Sequence, residues 1–235
     1  MSNSENNPQI IIIKDGPYVV TGAVPLAEKI IKPEGKHYVY EDGRELPQLS
    51  SYTLCRCGKS NNPPFCDGMH VKAGFDGTET ASKADYLDRI VYRVKGPALE
   101  LLDDGRCAYA RFCHRDAGDA WELAGTAKDE YTKKEAIIAA CECPAGRLVI
   151  KDEDGEIIEP EYEPAIEVLQ DPQMGVSGPL SVKGSIPIIS SDGDTYEVRN
   201  RITLCRCGQS KIMPFCDAQH INKEFKDGFE IVKED

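Results

Sequence analysis

Short runs of β-branched and aromatic residues predict several strands along this chain. Residues 9–13 (QIIII) and 18–20 (YVV) are rich in such residues and flank the turn sequence Asp15-Gly16-Pro17. This combination predicts two strands joined by a turn. Residues 89–94 (RIVYRV) alternate apolar and polar side chains, which predicts a further strand.

A helical pattern occurs in the middle of the chain. Thr132 and Glu135 have the spacing of a capping box at the start of KKEAIIAACEC, and Pro144 follows that stretch, so a helix is predicted between them. Residues 151–177 are acidic and contain several prolines, and we interpret them as an extended linker. These elements predict an α+β fold that is rich in β-structure.

The pattern of the N-terminal part returns near the C-terminus. GPYVVTGAVPL at 16–26 matches GPLSVKGSIPI at 178–188 in its glycines, prolines and a valine. The duplication therefore covers whole modules. Residues 78–160 have no counterpart in either copy. We predict a first module at 1–77, a middle domain at 78–160 and a second module at 161–235.

Charge and composition restrict the function classes. The chain has 235 residues and a net charge of −12, which disfavours nucleic acids and anionic membranes as partners. The N-terminal sequence lacks the features of a signal peptide, and no apolar stretch reaches the length of a membrane span. There are ten cysteines. A cytoplasmic location is expected, and there clustered cysteine and histidine indicate metal binding more often than disulfides.

Three cysteines and one histidine occur twice at the same spacing. Each copy has C-x-C, eight intervening residues and then C-x3-H, within CRCGKSNNPPFCDGMH and CRCGQSKIMPFCDAQH. Three thiolates and one imidazole make a four-coordinate site for zinc or for an iron–sulfur cluster. The predicted metal ligands are Cys55, Cys57, Cys66 and His70 in the first motif, and Cys205, Cys207, Cys216 and His220 in the second.

Local sequence indicates how these ligands are presented. Alternate residues of an extended segment point to the same face, so a C-x-C pair can hold one metal atom. Gly58 and Gly208 let the backbone bend close to each site. Asp67 and Asp217 are suited to cap a turn of helix that carries the histidine. The spacing alone fits both alternatives: a zinc ion, and a cluster with two ligands on each of two irons.

Both stretches resemble the motif of the CDGSH iron–sulfur family, also called NEET: C-x-C-x2-(S/T)-x3-P-x-C-D-G-(S/A/T)-H. The residue just before the histidine departs from it in both copies, Met69 and Gln219, and Ala218 replaces the glycine of the motif in the second copy. None of these three residues is a ligand position in the motif.

The resemblance implies a two-iron, two-sulfur (2Fe-2S) cluster in each motif, held by three cysteines and one histidine. It also implies that two modules pair through strands of a shared β-rich cap. Because this chain carries both modules, an intramolecular pseudo-twofold pairing within a monomer is expected. A histidine ligand raises the cluster potential and can couple electron uptake to protonation. His70 and His220 are the residues to which the resemblance assigns this role.

Four further cysteines lie in the middle segment: Cys107, Cys113, Cys141 and Cys143. The pattern C-x5-C followed by C-P-A-G resembles the small mono-cluster ferredoxins over residues 86–150, with Ala110 where those proteins have another cysteine. A small ferredoxin-like α+β insert is thus expected. Three of these cysteines could hold a 3Fe-4S cluster, and Cys141 or His114 could complete a 4Fe-4S cluster. Core cysteines and a structural zinc site are the alternatives.

The sequence therefore predicts an iron–sulfur protein that acts in electron transfer, redox sensing or cluster transfer. Its partner would be an unidentified redox protein or a protein that accepts a cluster. The chain has no phosphate-binding glycine-rich loop and no nucleophile elbow, so an enzyme is not expected. The alternative function is that of a zinc-binding interaction module without redox activity.

Overall fold

The first repeat folds into five strands and a one-turn helix. A computed structural model describes residues 7–228, so the predicted domain ends at 1–6 and 229–235 lie outside the described residues. The two strands predicted around the turn are confirmed, and they pair antiparallel. The elements are β1 (Gln9–Ile12), β2 (Tyr18–Thr21), β3 (Leu26–Glu34), β4 (His37–Asp42), β5 (Ser51–Leu54) and α1 (Met69–Lys72).

The segment between the repeats forms its own antiparallel sheet with two helices. After a 3-10 turn (Tyr86–Arg89), the elements are β6 (Tyr92–Lys95), β7 (Glu100–Asp103), β8 (His114–Arg115), β9 (Gly118–Asp119), α2 (Ala120–Thr126), α3 (Glu130–Cys141), β10 (Leu148–Lys151) and β11 (Ile157–Ile158). The sheet has the strand order β11-β10-β7-β6, and α2 and α3 contribute to one core with β7 and β10. Alanines dominate the helix faces in that core, which lets the helices approach the sheet closely.

The start of helix α3 differs from the prediction. Thr132 and Glu135 do not form the capping box, because the helix begins at Glu130 with Asp129 as its N-cap. The Asp129 carboxylate accepts a hydrogen bond from the Thr132 amide at 2.9 Å. Thr132 thus occupies the third helical position of a capping box that starts three residues earlier. Strand β6 likewise begins at Tyr92, later than the predicted 89–94.

The interpretation of residues 151–177 as a linker is wrong. This stretch contains strand β12 (Ala165–Asp171), whose residues from Ile166 onward are buried, and the start of β13 (Val176–Lys183). Acidic residues and prolines dominate the composition, but the apolar run within it supplies a central strand. The second repeat then continues with β14 (Ile188–Ile189), β15 (Arg201–Leu204) and α4 (Gln219–Asn222).

The second repeat contributes strand β14 to the sheet of the first, and the first contributes β3 and β4 to the sheet of the second. The four-stranded sheet has the order β14-β1-β2-β5, in which Ile188 of the second repeat pairs with Ile10 in parallel. The five-stranded sheet has the order β15-β13-β12-β3-β4, in which Leu26 of the first repeat pairs with Ile166 in parallel. Leu26 and Ile188 end the matched sequences GPYVVTGAVPL and GPLSVKGSIPI, so the exchange is reciprocal.

One hydrophobic core draws its side chains from both repeats. Burial of an aliphatic side chain stabilises a fold by about 1.5–3 kcal/mol relative to its exposure, so a separated repeat would lose much of this contribution. The members include Ile10, Ile12, Tyr18, Val20 and Leu54 from the first repeat, and Ile166, Val168, Leu180, Val182 and Leu204 from the second.

The fold is mixed α+β with several sheets and few helices. In the part of the chain that the structure describes, no helix has both the length and the apolar character needed to cross a bilayer.

Candidate metal centres

The first motif brings its four predicted ligands together as two close pairs. Cys55 and Cys57 follow strand β5, and their sulfur atoms are 3.7 Å apart. The Cys66 sulfur lies 3.4 Å from Nδ1 of His70, which α1 carries. Both separations suit two ligands on one tetrahedral metal atom.

The second motif repeats this arrangement. The Cys205 and Cys207 sulfur atoms are 3.5 Å apart, and the Cys216 sulfur lies 3.5 Å from Nδ1 of His220. Within residues 7–228, no three Cys, His, Asp or Glu side chains are close enough together to hold a single metal ion. The pairs in each motif divide the ligands two by two, as a two-iron cluster requires.

The backbone of each motif fixes its third cysteine against the strand that carries the first two. The amide of Cys55 donates to the carbonyl of Pro64 at 2.8 Å, and the amide of Cys66 donates to Thr53 at 3.0 Å. The second motif has the corresponding bonds, from Cys205 to Pro214 and from Cys216 to Thr203. The loop between the cysteines is therefore closed by a short hairpin-like pairing.

The predicted helix caps are displaced by one residue. The N-caps of α1 and α4 are Gly68 and Ala218, both in the left-handed region, and neither makes a side-chain cap bond. Asp67 instead accepts a hydrogen bond from the Met69 amide at 3.1 Å and one from the Asn61 amide at 2.8 Å. The aspartate therefore ties the cysteine loop to the start of the helix.

The two motifs meet through the backbones of their second cysteines. Cys57 and Cys207 form an isolated antiparallel bridge. Gly58 and Gly208, which follow them, have φ of 70° and 73°. A Cβ atom on either glycine would lie 2.5 Å from the carbonyl oxygen of the opposite cysteine. The predicted need for glycine thus has a specific cause, which is the close approach of the other motif.

An arginine between the first two cysteines anchors each motif, and the sequence analysis missed it. Arg56 is 1 % exposed and donates to the carbonyls of Gly16, Gly77 and Ile13 at 2.8–2.9 Å. Arg206 is also buried, and it donates to Gly178 and Leu169 and pairs with Asp227. The sequence signal was available, since both copies read Cys-Arg-Cys.

Buried thiols make both motifs favourable places for a cation. In the second motif, Cys205 accepts a hydrogen bond from Cys207, which lowers the pKa of Cys205 to about 7 and raises that of Cys207. Burial raises the pKa of Cys216 well above its usual range. In the first motif, burial and the nearby Cys55 raise the pKa of Cys57 to about 11. Metal coordination would offset this penalty on thiolate formation.

Aromatic side chains pack beside the cysteines of the second motif. Phe75 and Phe225 contact a buried cluster of Cys205, Cys207 and Met213. Each ring also lies 5.3 Å from the guanidinium carbon of the arginine in its own repeat. Both rings therefore contribute to the burial of Cys205 and Cys207.

Three of the four middle cysteines line one small cavity. Cys107, Cys113 and Cys143 surround it together with Trp121 and Arg147. Burial, followed by the charges of Cys143 and Cys107, raises the pKa of Cys113 to about 12.

The other candidate ligands of the middle segment lie elsewhere. Cys141 lines a different cavity, and its sulfur is 3.5 Å from the Ile158 carbonyl. The His114 side chain is exposed.

The loop that joins Cys107 to Cys113 has an unusual backbone. Tyr109 and Arg111 have φ of 58° and 67°, in a region that side chains other than glycine rarely adopt. The Tyr109 amide points to the Cys107 sulfur at 3.3 Å. An amide directed at this sulfur favours the thiolate form of Cys107.

The comparison with known protein families identifies both repeats. The model of the iron-binding zinc finger of CDGSH type matches residues 15–71 and 177–221. Each matched range contains one complete set of the three cysteines and the histidine. No curated protein matches the chain, and no solved structure does.

Proposed function

We propose that this chain, whose two repeats are of the iron-binding CDGSH type, is an electron-transfer protein with a 2Fe-2S cluster in each motif. The observation that carries the proposal is the division of each ligand set into a Cys–Cys pair and a Cys–His pair. One iron would bind each pair. The proposed role is that of a carrier, and no catalytic residues are assigned.

The arrangement of the repeats supports a pseudo-twofold pairing inside a single chain. The exchange of β3 and β14 and the bridge between Cys57 and Cys207 are each reciprocal. These features favour a monomer that contains both halves of the pair. The proposal keeps the three-part division of the chain at 1–77, 78–160 and 161–235.

The bridge also offers a short path between the two motifs. A ligand of one motif and a ligand of the other are neighbours across a β-bridge. No solvent-filled gap separates the two backbones at this bridge, because a Cβ atom added to Gly58 or Gly208 would lie against the carbonyl of the opposite cysteine. When bound, the clusters supply one-electron redox chemistry.

The histidines supply the coupling between the clusters and protons. In both motifs the ring nitrogen that faces the neighbouring cysteine is Nδ1. This leaves Nε2 of His70 and of His220 to bind or release a proton. A neutral imidazole in place of a thiolate also makes the site less negative, which favours electron uptake.

The middle segment is proposed to hold a third cluster. The support is the shared cavity of Cys107, Cys113 and Cys143 and the Tyr109 amide, which points to the Cys107 sulfur. Three thiolates suit a 3Fe-4S cluster. Cys141 is left out of this ligand set because its sulfur faces the Ile158 carbonyl.

The partner is proposed to be a protein that exchanges electrons or a cluster with this chain. The net charge of −12 favours a partner with a basic surface and disfavours nucleic acid.

The proposal is tested by metal analysis and visible absorption of protein purified without oxygen. We expect about four irons per chain for two clusters, and about seven if the middle site is filled. Replacement of His70 or His220 by cysteine should retain iron and shift the absorption bands.

Two middle cysteines provide a matched control. Cys143→Ala should remove the additional irons, whereas Cys141→Ala should leave the iron content unchanged. A colourless protein with stoichiometric zinc would contradict the redox function and favour the structural zinc module.

A further inference from the structure

The two motifs differ sharply in exposure although their ligands correspond. In the first motif, Cys66 and His70 are only partly buried, and Val71 beside the histidine is 74 % exposed. In the second motif, Cys216 and His220 are both 3 % exposed. Helix α1 has no buried residue, whereas α4 buries its histidine. The second motif is therefore covered by a part of the chain that does not cover the first.

The cover comes from the middle segment. The guanidinium of Arg106 stacks on the Phe215 ring, with its central carbon 4.4 Å from the ring centroid. Arg106 and Phe215 directly precede Cys107 and Cys216. The middle-segment loop of residues 106–113 therefore lies against the second motif.

The same loop is held in place by a buried ion pair. The Arg111 guanidinium donates two hydrogen bonds to the Asp171 carboxylate, at 2.6 and 2.9 Å. The two side chains are only 10 % and 2 % exposed. Asp171 ends strand β12 of the second repeat. Paired charge-assisted bonds of this kind are among the stronger polar contacts in proteins.

The same arginine lies at a strained point of the loop. Arg111 has a left-handed backbone, so the ion pair offsets a conformational penalty there. Loss of the pair would therefore release a loop that does not favour its present conformation.

We infer that the first motif is the site at which this protein exchanges electrons or iron with its surroundings, and that the second is an internal site closed by the Arg111–Asp171 pair. The inference rests on the proposed function in requiring that both motifs load a cluster. Iron leaves the first motif directly. It leaves the second only after the loop of residues 106–113 opens.

The experiment follows iron release from the fully loaded protein in excess EDTA with iodoacetamide present. Freed cysteines are alkylated as each cluster is lost, and mass spectrometry of tryptic peptides locates them. Cys66 and Cys216 fall on separate tryptic peptides, 60–72 and 212–223. We expect Cys216 to be labelled at least about tenfold more slowly than Cys66, because release needs a local opening.

Variants test whether the ion pair keeps the loop of residues 106–113 closed over the second motif. Arg111→Ala and Asp171→Asn should each speed the labelling of Cys216 towards the rate of Cys66 and leave Cys66 unchanged. Arg115→Ala is the matched control, since it also removes an arginine of the middle segment that binds two carboxylates, Glu135 and Glu142. It should leave both rates unchanged. Asp171→Asn preserves the shape of the side chain and guards against misfolding of the alanine variant.

Equal labelling rates in the loaded wild-type protein would overturn the inference. So would an unchanged Cys216 rate in a folded, iron-loaded Asp171→Asn protein. Neither result would contradict the proposed function. That proposal would be contradicted separately, by a purified protein that holds no iron.

Discussion

The two cysteine–histidine motifs of this chain present the same candidate ligands in different surroundings. Their sulfur–sulfur and sulfur–nitrogen separations agree within 0.2 Å. Yet His70 is partly exposed and His220 is 3 % exposed. Ligand geometry follows from residues inside the motif, whereas access follows from residues far outside it. A motif therefore predicts which metal group can bind, but not how readily that group is released.

Corresponding positions of the repeats show where the difference arises. Tyr18 of the first repeat donates its hydroxyl to the Cys205 carbonyl at 2.7 Å, whereas the matched position of the second repeat is Leu180. Arg201 lies under the middle segment, whereas the residue 150 positions earlier is the exposed Ser51. The second motif is thus supported by both other parts of the chain.

The largest effect is expected from removal of Arg201. Its guanidinium is 2 % exposed and donates to the carbonyls of Ala140, Cys141, Cys143 and Leu148 and to the Glu159 carboxylate. Arg201→Ala would leave these acceptors buried without a donor. We expect the free energy of unfolding to fall by about 3–5 kcal/mol, measured by urea denaturation.

The matched substitution in the first repeat is Ser51→Ala. Because Ser51 is exposed at the same strand position, its replacement should change the free energy of unfolding by less than about 0.5 kcal/mol. Similar losses in both variants would show that the middle segment does not stabilise the second repeat.

An intermediate effect is expected from pH in the iron-free protein. Burial lowers the pKa of His220 from 6.5 to about 4, so the unfolded chain binds the proton first as the pH falls. The stability that neutral His220 contributes is complete above pH 6.5 and is lost as the pH falls to about 4. The loss should approach about 3 kcal/mol, at about 1.4 kcal/mol per unit of pKa. Denaturation curves at successive pH values measure it.

His220→Gln should reduce the slope of stability against pH in this window. A slope that the His220→Gln variant leaves unchanged would contradict this assignment.

Much of the site could be predicted from the sequence, because its determinants are local. The C-x-C and C-x3-H spacings place their ligands within a few residues of one another, and Gly58 and Gly208 mark the close approach. Arg56 and Arg206 were missed although both follow a first cysteine. Their partners lie in other strands, so the sequence indicates a special residue but not its contacts.

The surroundings of the site could not be predicted in the same way. The acidic composition of residues 151–177 concealed strand β12, because the buried run from Ile166 onward is short and its neighbours are charged. Arg111 and Asp171 are 60 positions apart, and neither belongs to a recognisable motif. Only the fold brings these two residues together, so the sequence did not indicate that the second motif is covered.

A small effect is predicted at the residue before each of the one-turn helices α1 and α4. Ala218 has φ of 65° where Gly68 has φ of 84°, and a Cβ on Gly68 would meet no atom within 4 Å. A left-handed alanine is strained, but glycine loses more entropy on folding. Ala218→Gly should therefore stabilise the protein by only about 0.5–1 kcal/mol, and Gly68→Ala should destabilise it similarly.

Thermal denaturation of the two variants and of the double variant would measure this difference. Because the two positions lie in separate motifs, the double variant should match the wild type in stability. If Ala218→Gly instead destabilises the protein, the alanine methyl must contribute packing that the first motif lacks. The buried surroundings of the second motif would then extend to its helix cap, and the contrast between the two motifs would be larger than their histidines alone indicate.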